Sequence, residues 1–333
     1  MVVVIGGSSF IGVYTIDALL KSNVEVVATG RNNKFREYYT AHGVKYIELD
    51  LTCKADFAQL PSKNIEGIIL LAGLLPANSP VCLNEFENAE DYVAVNTIGT
   101  IHVLEYCRAN HINRVISTAS YVEVFNSWGK ANPITEEEPI GFQHSGDHAA
   151  YVISKRAAAD MMEYYNQQHG MLNAVFRLPP VYGAGPHGSL FINGTRRKSG
   201  LQIFIENASS GENIQVFGDK SVSRDIVYVK DVAGAFVNAV QSRNTCGLYN
   251  IASGKGVTLQ QQAEAVAKVF ASEKGQSEIV YRPEIPNHSC SFLFDISKAQ
   301  KDFNYEPHFS DFYSMMKDYR YELERGVFNS LFQ

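Results

Sequence analysis

Short runs of β-branched and other apolar residues alternate with longer amphipathic stretches through the first half of the chain. Several short runs are apolar at nearly every position, which is typical of strands covered on both faces of a sheet. The predicted strands are residues 2–5, 24–28, 45–49, 67–71, 114–117 and 173–177, and the predicted helices are residues 11–21, 92–110 and 151–169. This alternation predicts an α/β fold with a doubly wound parallel sheet.

The second half of the chain departs from this rhythm. Residues 183–224 are rich in Gly, Ser and Asn and predict no run of strand–helix units. After them, residues 226–240 predict a strand that turns into a helix, residues 247–252 predict a short strand, and residues 258–271 predict an amphipathic helix. We therefore expect a small lobe assembled from separated C-terminal pieces.

A chain of 333 residues is long for one compact core, which favours a main domain with a smaller lobe. The apolar share of 45% and the charged share of 19% are those of an ordinary globular protein. We expect a nucleotide-binding domain of residues 1–182 plus about 226–253. The lobe, which we expect to bind substrate, would comprise about residues 183–225 plus 254–333.

Charge and cysteine content exclude several classes of protein. A net charge of −6 argues against a dedicated nucleic-acid binder, which would carry a basic face. The five cysteines are far apart and predict neither disulfides nor a metal site. No apolar stretch reaches the ~20 residues that span a bilayer, and the N-terminus has no signal-peptide pattern. We expect no nucleic-acid partner, no membrane association, no metal, and a cytoplasmic location.

A tight glycine turn follows the first predicted strand. Residues 6–12 are GGSSFIG, in which Gly6 supplies the unusual backbone angles of the turn and Gly12 lets the next helix pack closely. Amides at the start of a helix, aided by its dipole, bind a pyrophosphate. The sequence therefore predicts a Rossmann-type dinucleotide site, although an ordinary strand–helix turn would have a similar pattern.

The end of the second predicted strand bears on the choice of dinucleotide. An NAD site usually places an acid there to bind the ribose hydroxyls, whereas this chain has Arg31 in the sequence ATGRN. Arg31 could pair with a 2′-phosphate, which favours NADP over NAD, or it could be a solvated surface residue. Asp50 is placed to accept a hydrogen bond from an adenine amino group, or it caps the following helix.

Tyr151 and Lys155 are four residues apart in a predicted helix and so lie on one face of it. A tyrosine is a weak base because its pKa is ordinarily ~10. A neighbouring ammonium group and a cationic nicotinamide favour the phenolate, so we expect them to lower the Tyr151 pKa. Such a spacing also occurs by chance in many helices.

Eight segments, in order, resemble the extended short-chain dehydrogenase/reductase family, the NAD-dependent epimerases and dehydratases similar to UDP-glucose 4-epimerase. The resemblance covers nearly the whole chain. Its segments are GGSSFIG (6–12), LAG (71–73), NTIGT (96–100), STAS (117–120), Tyr151 with Lys155, RLPPVYG (177–183), RDIVYVKDVA (224–233) and YNIA (249–252).

This resemblance implies catalytic roles. Tyr151 would be the general acid/base, and Lys155 would bind the nicotinamide ribose and tune Tyr151. A Ser or Thr after the fifth strand would hydrogen-bond the reacting oxygen; we place this role on Ser120, with Thr118 as the alternative. Residues 121–125 are YVEVF where the family usually has VYG, which suggests a one-residue insertion.

The same resemblance implies which residues bind the cofactor and the substrate. Asn96 would brace the region of the catalytic helix, while Arg224 and, on a neighbouring loop, Arg282 would bind the phosphates of a nucleotide sugar. Either arginine could instead form a surface ion pair. The predicted cofactor-binding residues are Gly6, Ser8, Ser9, Phe10, Ile11, Gly12, Arg31, Asp50, Leu51, Leu71, Ala72, Gly73, Asn96, Tyr151 and Lys155. The predicted substrate-binding residues are Ser120, Arg224 and Arg282.

The reaction implied first is epimerisation of a nucleotide sugar through a transient keto-sugar. The alternatives are an NADPH-dependent reductase of a nucleotide-linked keto-sugar and, outside enzymology, a dinucleotide-binding redox sensor or scaffold. A 4,6-dehydratase ranks last, because Glu123 stands alone where an Asp-Glu pair would be expected. In similar proteins the helices at 92–110 and 151–169 pair with a second subunit, so a homodimer is expected.

Overall fold

The computed structural model of the protein describes residues 1–83, 87–186, 188–192, 194–273, 275–287, 289–326 and 331–332. Within these ranges the strands are β1 (Val2–Ile5), β2 (Val26–Gly30), β3 (Lys45–Glu48), β4 (Gly67–Leu70), β5 (Val115–Ser120), β6 (Ala174–Leu178), β7 (Val181–Tyr182), β8 (Ser189–Ile192), β9 (Thr195–Lys198), β10 (Ile214–Phe217), β11 (Ser223–Asp225), β12 (Val227–Tyr228), β13 (Gly247–Asn250), β14 (Gly256–Thr258) and β15 (Ile279–Arg282). The α-helices are α1 (Phe10–Lys21), α2 (Lys34–Ala41), α3 (Ala89–Tyr92), α4 (Gly99–Ala109), α5 (Ala149–His169), α6 (Gly200–Ser210), α7 (Val229–Gln241), α8 (Leu259–Val269), α9 (Ser297–Phe303) and α10 (Phe312–Arg325).

A seven-stranded parallel sheet in the order β13-β6-β5-β4-β1-β2-β3 forms the centre of the molecule. The prediction of an α/β, doubly wound parallel sheet is confirmed. The strand order reverses between β1 and β4, and ligands of such sheets bind at the carboxyl ends of the strands beside this point.

Both faces of the sheet are covered, as the continuous apolar runs predicted. Every residue of β1 is fully buried. Because side chains alternate along a strand, Val2 and Val4 pack into the cluster with α1 and α7. Val3 and Ile5 pack into the opposite cluster with α4 and α5. This rigid sheet fixes the loops that follow β1, β4 and β5.

Most predicted elements occur, with boundaries shifted by a few residues. β2 begins and ends two residues later than predicted, because Thr29 and Gly30 are still buried and paired with β3. The stretch predicted as one helix over 92–110 is α3, then a π-helix at Val93–Ile98, then α4. Sequence patterning missed α2, α6, α9 and α10; of these, α2 and α9 are short, at eight and seven residues.

The second half of the chain builds two-stranded pairs in addition to β13 and its helices. These are β8 with β9, β10 with β15, β11 with β14, and β12 with β7. The strand-to-helix turn predicted for residues 226–240 is β12 followed directly by α7. All five cysteines are described and carry free thiols. None of the helices in the described residues is long and apolar enough to cross a membrane.

Candidate active site

The turn between β1 and α1 admits only glycine at two positions. Gly6 has a φ of +91°, and a Cβ on it would lie 2.3 Å from the Ala72 nitrogen. A Cβ on Gly12 would lie 2.3 Å from the Gly6 carbonyl oxygen. Ser9 caps α1 by accepting a hydrogen bond from the Gly12 amide at 3.1 Å. The helix therefore begins against the strand ends, with its positive end facing the cleft.

Two adjoining cavities run along the carboxyl ends of β1, β2, β4 and β5. The first, of about 220 Å³, extends from the glycine turn to Arg31 and Asp50. The second, of about 280 Å³, extends from the same turn to Tyr151 and Lys155. Both are lined by Ser8, Ser9, Leu71, Ala72, Gly73, Leu75 and Asn78. Their combined form is an elongated cleft that matches a two-part ligand, with the glycine turn at its middle.

Arg31 and Asp50 are the charged side chains that line the smaller cavity within the described residues. Arg31 Nη1 lies 3.6 Å from Asp50 Oδ2, and the Arg31 side chain is 75% exposed. Asp50 Oδ1 accepts hydrogen bonds from the Thr52 hydroxyl and amide. These hydrogen bonds, with Arg31 beyond them, hold the pKa of Asp50 below its usual value. The exposed Arg31 guanidinium therefore lies at the open side of the smaller cavity, beside Asp50.

The larger cavity ends at the first turn of α5. Tyr151 lies in that turn, and its hydroxyl is hydrogen-bonded to the Ser120 side chain. One turn later, Lys155 Nζ donates to Thr118 Oγ1 at 3.3 Å. Residues 118 and 120 point to one side of β5 because side chains alternate along a strand. Thr118 lines the cavity and Ser120 is 6% exposed, so the structure brings both hydroxyls to the Tyr–Lys pair.

Burial governs the ionisation of this pair. It raises the pKa of Tyr151, and the hydrogen bond with Ser120 opposes the rise. It also lowers the pKa of Lys155 to about 8, against the attraction of Glu123. Burial is the largest cause of the Tyr151 shift, because it removes the phenolate from water. That Lys155 and a cationic nicotinamide together lower the Tyr151 pKa stays a prediction.

Asn96 joins the loop after β4 to α5, the helix of Tyr151 and Lys155. Its Oδ1 accepts from the Leu74 amide at 2.8 Å, and its Nδ2 donates to the Leu74 carbonyl and to Ser154 Oγ, each at 3.0 Å. Asn96 is buried in the π-helix, a distortion often found at functional sites. Asn96 also lines the larger cavity, beside the helix that it is predicted to brace.

Arg224 lies on β11. Its positive charge acts on Tyr121, which follows Ser120, and on Tyr182; burial raises the Tyr182 pKa to about 12 and Arg224 opposes this. The Arg224 Nε atom is buried and has no hydrogen-bond partner among the residues that the structure describes. A guanidinium held in this way has unused donors for an anionic ligand.

Arg282 lies on a different strand from Arg224, at the exposed end of β15, which pairs with β10; its Nη1 is 4.0 Å from Glu284. Neither Arg282 nor Arg224 lines either of the two cavities. A contact between Arg282 and substrate stays a prediction.

Comparison with known proteins agrees with this geometry. Residues 2–252 match the model of the NAD dependent epimerase/dehydratase family. The chain belongs to this family, and it is an enzyme of that family. UDP-glucose 4-epimerase of Mycolicibacterium smegmatis is 25% identical over 307 residues, which cover 90% of this chain and 88% of that protein.

Solved structures of epimerases share the fold. UDP-glucose 4-epimerase of Thermotoga maritima, solved with UDP-glucose, is 21% identical with a TM-score of 0.76, covering 97% of this chain and 99% of that one. The enzyme of Thermus thermophilus, solved with NAD, is 22% identical with a TM-score of 0.73, covering 98% and 99%.

Several residues of this epimerase/dehydratase cleft escaped the sequence reasoning. Asn78 lines both cavities, and its position in the loop after β4 could have indicated it. Pro186 lines the larger cavity and follows the RLPPVYG segment closely. Phe332 also lines that cavity and lies against Phe35 at 5.7 Å between ring centroids; no local pattern indicates a contact between such distant residues.

Proposed function

We propose that the protein is a nucleotide-sugar epimerase that works through a transient keto-sugar, with Tyr151 as the acid/base. The observation that carries this proposal is the single cleft joining the glycine turn to Tyr151, Lys155 and the hydroxyls of β5. Relatives and structural neighbours described as UDP-glucose 4-epimerases support the same reaction class.

The residues of the cleft fit a nicotinamide dinucleotide. Gly6 and Gly12 let the first strand, the loop after β4 and the start of α1 pack closely, so that the amides at the start of α1 would face a pyrophosphate. Arg31 and Asp50 would hold the adenosine end, and Lys155 would hold the nicotinamide ribose. Arg31 favours NADP, whereas a neighbouring structure was solved with NAD. When bound, the dinucleotide accepts and returns a hydride and brings positive charge near Tyr151.

The chain's own groups would move the proton. Tyr151 removes the proton of a sugar hydroxyl and later returns it, while Ser120, or Thr118 beside it, hydrogen-bonds the same oxygen. Lys155, which is charged below a pH of about 8, offsets the charge of the phenolate. Asn96 keeps α5 and the Leu74 loop in place.

Arg224 would bind the diphosphate of the nucleotide sugar. Its planar set of donors suits two phosphate oxygens, and its Nε lacks a partner in the described part of the chain. The lobe of about residues 183–225 plus 254–333 would supply the rest of the substrate site, against a dinucleotide domain of residues 1–182 plus about 226–253.

A homodimer is part of the proposal. Large apolar side chains are exposed on neighbouring helices: Val93 and Ile98 in the π-helix before α4, and Ile153 and Tyr164 on α5. The π-helix packs against α5, so these side chains can form one continuous surface for a second copy.

Assay of the purified protein with a panel of nucleotide sugars tests the function. We expect one of them to be converted to its epimer without added reductant, and Tyr151→Phe to abolish conversion while retaining the dinucleotide. Absence of any epimer contradicts the proposal. The second candidate, a keto-sugar reductase, is favoured by Arg31 at the cofactor end and would oxidise NADPH once per turnover.

A further inference from the structure

A buried ion pair lies directly behind the reactive hydroxyls. Glu123 follows Ser120 by three residues, and its Oε1 lies 2.7 Å from Nε of Arg177 on β6. Their side chains are 2% and 0% exposed. Two charges withdrawn from water in this way cost free energy unless they are well paired, so their position is closely fixed.

Arg177 is fixed by the structure around it. Its Nη1 donates to the Thr135 carbonyl at 3.2 Å and to Asn250 Oδ1 at 3.1 Å. Asn250 in turn donates to the carbonyl of Ile134 at 3.0 Å. The Glu123 carbonyl accepts from the Gly141 amide at 2.8 Å, so both backbone and side chain of Glu123 are held.

The segment that carries Glu123 packs against the helix that carries Tyr151 and Lys155. This segment is the 3₁₀ helix Tyr121–Ser127, and the helix is α5. The groups that act on Tyr151 are Ser120 by its hydrogen bond, and the charges of Tyr121, Tyr92 and Glu123. Among the described residues, Glu123 is the charged group that acts on Lys155.

Glu123 shifts the pKa of Tyr151 and the pKa of Lys155 in the same direction. A carboxylate favours the protonated form of a nearby group, so Glu123 raises the pKa of Lys155 and that of Tyr151. Burial already lowers the pKa of Lys155 to about 8. Without Glu123, less of Lys155 would be charged near neutral pH.

We propose that Glu123 is a positioning residue of the reaction: held by Arg177, its carboxylate keeps Lys155 charged beside Tyr151 and touches neither substrate nor dinucleotide. This inference rests on the proposed function in assigning Tyr151 and Lys155 to catalysis. It assigns Glu123 no proton transfer, which distinguishes it from the acid expected of a dehydratase.

A pH titration of the Lys155 amine tests this inference without an activity assay. Reductive methylation with ¹³C-formaldehyde gives an NMR signal for Lys155, assigned by its loss in Lys155→Arg, and its shift is followed against pH. We expect Glu123→Gln to move the midpoint to lower pH. The control is Glu136→Gln, which removes a half-buried carboxylate that accepts from the Asn250 amide at 2.8 Å but does not act on Lys155.

An unchanged midpoint in Glu123→Gln, or an equal shift in Glu136→Gln, overturns the inference. Should Glu123→Gln fail to fold because Arg177 is left unpaired, the double variant Glu123→Gln/Arg177→Met removes both charges, and the midpoint is again expected to fall.

The pH profile of kcat on the nucleotide sugar gives the second readout. Both the acidic and the basic limb of this profile should move to lower pH in Glu123→Gln, with KM unchanged. A structural defect alone would lower kcat without moving either limb. If both limbs stay at the wild-type pH, the inference is overturned. If the wild-type protein converts no nucleotide sugar, the proposed function is contradicted. If Glu123→Gln still shifts the Lys155 midpoint in that case, the electrostatic role of Glu123 stands.

Discussion

Replacing Asn96 with alanine should loosen the catalytic cleft and destabilise the whole protein. The change removes three hydrogen bonds, two to Leu74 and one to Ser154 Oγ. At about 1 kcal/mol net for each bond, the free energy of unfolding should fall by about 3 kcal/mol. Ser154 is fully buried, so water cannot easily replace its lost partner.

The loss of stability converts to a measurable change in melting temperature. An unfolding entropy of ~2.1 cal/mol/K per residue over 333 residues makes 3 kcal/mol equivalent to a fall of about 4 °C. Differential scanning calorimetry of wild type and Asn96→Ala measures this. Because Leu74 and Asn96 line the larger cavity, titration with dinucleotide should also show weaker binding.

Asn110→Ala is the matched control. Asn110 ends α4 and donates one side-chain hydrogen bond, to the Tyr106 carbonyl at 2.8 Å, far along the helix from the cleft. It should lower the melting temperature by about 1–2 °C and leave dinucleotide affinity unchanged. A melting temperature of Asn96→Ala no lower than that of Asn110→Ala would refute the bracing role.

Three further changes probe the cleft. Tyr151→Phe should lower kcat by about 10²–10⁴-fold in an epimerase assay while dinucleotide affinity is retained; turnover near the wild-type rate would exclude Tyr151 as the acid/base. Gly12→Ala places a Cβ 2.3 Å from the Gly6 carbonyl, so calorimetric titration should show no dinucleotide binding, and wild-type affinity would contradict the close approach. Arg31→Ala should weaken NADPH binding by about tenfold or more and leave NADH binding unchanged; equal effects on both would show that Arg31 does not select the 2′-phosphate.

The sheet was predictable because its strands carry a strong local pattern. β1 and β4 are apolar runs bounded by turns, and burial on both faces requires such runs. The glycine turn was predictable for a similar reason, since Gly6 and Gly12 meet steric limits that no other residue satisfies.

Tertiary contacts account for what the sequence did not show. The π-helix at Val93–Ile98 depends on where Asn96 meets Leu74 and Ser154, which no helical period encodes. The ion pair of Glu123 with Arg177 joins residues 54 positions apart. Its one local signal is an arginine inside the otherwise apolar strand Ala174–Leu178.

A crystal structure of the protein with NADP or NAD bound tests the central claim most directly. It should place the pyrophosphate at the start of α1, the ribose hydroxyls of the nicotinamide end at Lys155, and the nicotinamide ring beside the Tyr151 hydroxyl. A nicotinamide lying away from Tyr151, or a dinucleotide bound outside the two cavities, would contradict it.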